Sequence, residues 1–114
     1  MTMLQTRPEN TDKLAVLRPA YLQRLAVRQD IVAGVAQTLS ERALTEAELQ
    51  DIHRTVHSMA NSAAIYGYPA LSDAARAAEH LLEDDTSTTS MLVESLCCVA
   101  REAGAVLDSV RRAS

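Results

Sequence analysis

Residues 45–69 read TEAELQDIHRTVHSMANSAAIYGYP. Within them Leu49, Ile52, Val56, Met59, Ala63 and Tyr66 recur at alternating steps of three and four. That is the period of a helix with one apolar stripe, sustained over about five turns. Thr45 with Glu48 three residues on has the form of a capping box, which fixes where the helix starts. Gly67 suits a C-terminal cap, because only glycine enters the left-handed region without a steric cost. Pro69 suits the first position of a following helix, where a missing N–H costs nothing. The stretch therefore predicts a long amphipathic helix, a tight turn and a second helix folded back on it.

The pattern continues on both sides. Downstream, Leu71, Ala74, Ala75, Ala78, Leu81 and Leu82 predict a helix over about 70–82. EDDTSTTS at 83–90 reads as a loop with a cap at its end. Leu92, Leu96, Val99, Ala103, Val106 and Val110 predict a last helix over about 90–111, with Arg111 and Arg112 complementing its C-terminal dipole. Upstream, Leu14, Leu17, Tyr21 and Leu25 give one phase, and Ile31, Val32, Val35 and Leu39 a shifted one. Pro19 lies inside the first, so a helix broken in two, or two short helices, is expected over 11–39. Residues 1–10 are read as a flexible tail and 11–112 as the bundle domain. With short connections and no strand signal, the expected fold is all-α. It is an up-down antiparallel four-helix bundle with a short additional N-terminal helical segment. Gly34 and Gly104, inside helical patterns, are read as sites of close packing.

Composition narrows the function. A chain of 114 residues makes one domain and leaves no room for a cleft between two lobes. Three Tyr, no Phe and no Trp provide no stacking platform for bases, and a net charge of −4 with scattered cations argues against nucleic acid or an anionic membrane. No apolar run approaches the roughly 20 residues of a span, and no signal-peptide core is present, so a cytoplasmic location is expected. The adjacent Cys97 and Cys98 point about 100° apart on a helix and do not suit a disulfide; at least one is expected to be a small buried hydrophobe. No glycine-rich phosphate loop or Ser/His/Asp set is present, and independent catalysis is not expected.

His53 and His57 are the candidate chemistry. At 100° per residue, His57 lies roughly 130° from the centre of the apolar stripe, and His53 sits at the stripe's edge. Gln50, Arg54, Ala60, Asn61 and Ala64 surround His57, and three of these five are small or short, so a second protein can approach the imidazole. If the hairpin turns at Gly67–Tyr68, Glu79 comes to the height of His57 on the facing helix, and Arg76 to the height of Ala60. A carboxylate there would accept from Nδ1–H and leave Nε2 as a free lone pair. Arg76 would place a positive charge near a bound phosphoryl group. The pair in HRTVH also has i, i+4 metal-ligand spacing, but further inward ligands are not evident, so neither metal nor cofactor is expected. His80 is read as an ordinary surface residue.

HSMANSAAIYG at 57–67, with His57, Ser62, Ala63, Tyr66 and Gly67 in register, resembles the histidine-containing phosphotransfer (HPt) domains of two-component signalling. The continuation YPALSDAARAAEHLLED resembles the second helix of that family's hairpin, and LRPAYLQRLAVRQDIVAGVAQTL its N-terminal helical region. The resemblance implies a phosphorelay carrier, not an enzyme. It implies His57 as phospho-acceptor and Glu79 as the residue that orients it. Gln50, Arg54, Ala60, Asn61, Ala64 and Arg76 then form the docking face, with a response-regulator receiver domain and a sensor histidine kinase as partners. Ala60 stands where the family usually has Lys, and Asn61 where it usually has Gly. The first change removes a cation from the phosphoryl group, and the second puts a side chain where the receiver approaches. A docking module without phosphotransfer is the alternative that these changes leave.

Overall fold

A computed structural model describes the backbone of residues 2–113 and the side chains of residues 13–113. Four helices follow in chain order: α1 (Thr2–Glu41), α2 (Glu46–Tyr66), α3 (Pro69–Glu83) and α4 (Thr89–Ala113). No strand is present among the described residues. Each helix packs on the next in sequence and α4 closes back onto α1, and among the described residues the backbones of diagonal helices do not approach closely. Short connections make the neighbours antiparallel, so this is an up-down four-helix bundle.

The ends of α2 follow from the residues already singled out. The Glu48 backbone N–H donates to Thr45 Oγ1 at 3.2 Å, and the Thr45 N–H donates to Glu48 Oε1 at 2.9 Å, completing the capping box. Arg42 grips the same carboxylate through both terminal nitrogens, at 2.9 and 2.8 Å. This guanidinium, helped by the Thr45 N–H, lowers the Glu48 pKa to about 2. At the other end Gly67 has φ 85°, in the left-handed region. Its N–H donates to Ala64 O and the Tyr68 N–H to Ala63 O, the paired bonds of a Schellman motif. Pro69 then opens α3.

The core consists of aliphatic and alanine side chains on the inner face of each helix. Ile52, Val56, Met59 and Ala63 of α2 face Leu71, Ala75 and Ala78 of α3, Leu96, Val99, Ala103 and Val106 of α4, and Tyr21, Leu25, Val32, Ala36 and Leu39 of α1. Ser72, buried in the core, donates from Oγ to Ala60 O at 2.9 Å and ties α3 to α2. Tyr21 stacks on Tyr66 at 4.2 Å and faces Tyr68 at 6.2 Å. Arg18 reaches over the Tyr66 and Tyr68 rings and donates to the Tyr68 hydroxyl at 2.8 Å. These contacts pin α1 to the α2–α3 turn.

Helix α1 corrects the upstream expectation. It is unbroken through Pro19, and the additional N-terminal helical segment is its own first part. Pro19 and Ala15 are both exposed, so the hydrogen bond lost at proline falls on the solvent side and frees no carbonyl inside the bundle. The inner face runs in one phase through Tyr21, Leu25, Val32, Ala36 and Leu39. It looked shifted because Arg28 and Gln29 occupy the middle of that face; Gln29 Nε2 donates to Ala100 O on α4 at 3.1 Å. Leu17 and Ile31, expected inside, are exposed. The segment read as a tail, 1–10, belongs to α1 from Thr2 on, and its side chains lie outside the described residues. Gly104 is a site of close approach, since an added Cβ would lie 2.8 Å from Gln29 Nε2, whereas nothing lies near Gly34. Both cysteines are free; Cys97 is exposed and Cys98 half-buried, so the expected small buried hydrophobe is met only in part, by Cys98.

Candidate functional site

The outer edge of the α2–α3 hairpin brings together side chains 22 residues apart in sequence. His57 Nδ1 and Glu79 Oε2 lie 2.5 Å apart. A carboxylate has only lone pairs to offer here, so Nδ1 carries the proton and donates, and Nε2 is the acceptor nitrogen. Asn61, one turn on, places Nδ2 3.3 Å from that Nε2 and donates to it. The His57 side chain is 56% exposed while Glu79 is only 15% exposed. The carboxylate is thus sheltered while the ring is open to solvent.

The other residues expected around His57 divide. Gln50, Arg54, Asn61 and Ala64 are exposed on α2, and Arg76 is exposed on α3. Arg54 is paired with Asp51, one turn back on its own helix, and does not reach His57. Arg76 makes no ion pair among the described residues. Ala60 departs from expectation. It is fully buried, because the inner face of α2 is wider than its stripe of large residues and α3 packs over it through Ser72. Ala60 therefore belongs to the core and not to the docking face.

His53 is half-buried at the edge of the stripe, where its sequence reading put it. Its ring lies parallel to that of His57 with centroids 6.5 Å apart, so the two histidines do not converge on a common point. Its Nε2 instead lies 2.7 Å from Glu83 Oε2 and 3.8 Å from Glu79 Oε2. His80 is exposed, as expected.

Compared with known protein families, residues 20–112 match the one described as Hpt domain. The chain belongs to this family. Neither the curated proteins nor the solved structures give a match. Hpt domains act in two-component phosphorelays, generally as carriers and not as enzymes, and they interact with receiver domains and kinases. No helix of the described residues is long and apolar enough to cross a membrane.

Two residues on the outer side of the hairpin of this Hpt domain were not singled out from the sequence. Glu83 has the same mirror relation to His53 across the turn as Glu79 has to His57, so the arithmetic that found one pair also contained the other. Ile65, 63% exposed, lies on the outward face of α2 beside Ala64. Its signal was an aliphatic residue out of phase with the apolar stripe.

Proposed function

We propose that this Hpt domain carries phosphate on His57, between a sensor kinase or phosphorylated receiver and a second receiver domain. The observation that carries the reading is the exposed imidazole with Nδ1–H held by a sheltered carboxylate at 2.5 Å. That bond fixes the tautomer and turns the Nε2 lone pair outward. In the step, Nε2 attacks phosphorus of a receiver aspartyl phosphate. An N–P bond forms, the P–O bond breaks, and the aspartate leaves as carboxylate. The ring becomes cationic, and Glu79 offsets that charge through the Nδ1 proton it already holds. With a kinase the leaving group is the diphosphate of the nucleotide. Asn61 turns its amide from Nε2 to a phosphoryl oxygen, in place of the family's lysine. The remaining catalytic machinery is the partner's.

Docking without phosphotransfer is the second reading. It is favoured by one observation: no cationic side chain contacts His57 among the described residues. Incubation with a phosphorylated receiver separates the two. The carrier reading expects acid-labile label on the wild type, none on His57→Gln, and transfer slowed tenfold or more in Glu79→Ala. Label persisting in His57→Gln rejects the site. Tight receiver binding by an unlabelled wild type establishes the docking module instead.

A further inference from the structure

We propose that His53, Glu79 and Glu83 form a binding site for a divalent cation of the zinc type, and that this site draws on the carboxylate that holds His57. His53 Nε2 and one oxygen from each glutamate all lie within 4.8 Å of one another. Two ligands about 2.1 Å from a tetrahedral zinc stand about 3.4 Å apart. The His53–Glu83 and His53–Glu79 separations, 2.7 and 3.8 Å, straddle that value, so small side-chain rotations reach it. Glu79 and Glu83 sit one turn apart on α3, and His53 faces them from α2, so two fixed helices present the donors from two directions.

Charge favours a dication. With His53 neutral, the three donors carry two negative charges close together, which a divalent ion cancels and a single imidazolium offsets only in part. Nitrogen with two carboxylate oxygens is a donor set for zinc and its neighbours, whereas calcium and magnesium seek oxygen alone. Three protein ligands leave a fourth position for water. His53 is 36% and Glu83 52% exposed, and an open groove lined by Gln50, Arg54, Leu82 and Asp85 leads to His53.

Glu79 Oε2 is common to both centres, 2.5 Å from His57 Nδ1 and 3.8 Å from His53 Nε2. A cation on that oxygen withdraws electron density from the hydrogen bond that steadies His57. This consequence, unlike the site itself, rests on the phosphorelay reading: transfer through His57 slows when the cation is bound.

The test is calorimetric titration of the untagged full chain with zinc chloride alone, in a Cys97→Ser, Cys98→Ser background that removes the thiols. The site predicts one zinc per chain with a rise in Tm. His53→Gln and Glu83→Gln each weaken binding tenfold or more while helicity is unchanged, and His57→Gln does not weaken it. No saturable binding to the parent chain, or equal affinity in Glu83→Gln, overturns the site. Phosphorylation assays in chelator then read His57 separately: absence of label there rejects the carrier reading while a positive zinc titration stands.

Discussion

At the residue scale the same helix position supports chemistry or packing according to a rotation of about 60°. His57 and Asn61 look outward, while Ala60, between them in sequence, is sealed under α3. The sequence made His57 legible because the apolar stripe gave its direction and the turn gave its partner. It did not make Ala60 legible, because alanine carries no polarity signal and fits either face. Tyr21 is a comparable case: the spacing placed it in the core, but not its hydroxyl. That hydroxyl is buried without a hydrogen-bond partner among the described residues. Burial, with Tyr68 close by, pushes the Tyr21 pKa up to about 12. Only the neutral phenol is tolerated inside, so the unfolded chain releases its proton first, near its ordinary value of about 10. Stability from this group is complete below pH 10 and is lost as pH rises toward 12. Tyr21→Phe keeps the stacking and removes the unpaired hydroxyl. It is expected to raise stability by about 1 kcal/mol at neutral pH. It is also expected to flatten the alkaline limb of a Tm-against-pH curve relative to wild type. A loss of more than about 1 kcal/mol at neutral pH would show that the hydroxyl is bonded after all, and an alkaline limb as steep as the wild type's would show that burial does not raise its pKa.

At the element scale, the local signals with a mechanism were reliable. Thr45 and Glu48 closed their box, Gly67 took the left-handed cap and Pro69 opened α3. Each of these is decided within a few residues, so the chain needs no tertiary information to state it. The reading of α1 failed where tertiary contacts decide. Gln29 is polar yet turns toward α4, and Pro19 is tolerated because it faces outward. The two helical glycines, equivalent in sequence, separate for the same reason. At Gly34 an added methyl meets nothing, so Gly34→Ala is expected to stabilise by about 0.5–1 kcal/mol through the lost backbone entropy of glycine. At Gly104 the methyl would lie 2.8 Å from Gln29 Nε2, so the Gln29 bond to Ala100 O must shift or break. Gly104→Ala is therefore expected to gain nothing or to lose about 1 kcal/mol, the helix-propensity gain being offset by that bond. Denaturant midpoints of the two variants check the contrast. Equal gains at both positions would mean that α1 and α4 do not approach closely there.

At the scale of the whole molecule, the bundle's helix order was legible, since four stripes and short turns admit few arrangements. What the arrangement does to the outside of the hairpin was less so. Gln50, Asn61 and Ala64 stand exposed on α2 around His57, with Arg76 exposed on the facing helix α3 and Ile65 adding an uncovered aliphatic side chain beside Ala64. A receiver that brings its aspartate to Nε2 must lie across this face, within one or two turns of the ring. Ala64 is its most informative position, for its side chain takes no part in the core and arginine is a good helix former. Ala64→Arg should therefore leave Tm within about 2 °C of wild type while obstructing the approach. The expected outcome is a receiver affinity lower by tenfold or more, about 1.4 kcal/mol, measured by calorimetry with the unphosphorylated receiver domain. Because Ala64 lies on the far side of His57 from His53 along α2, zinc affinity in the same variant should not change. Receiver binding that survives Ala64→Arg at full strength would move the docking face off α2, and with it the claim that His57 is what the partner reaches for.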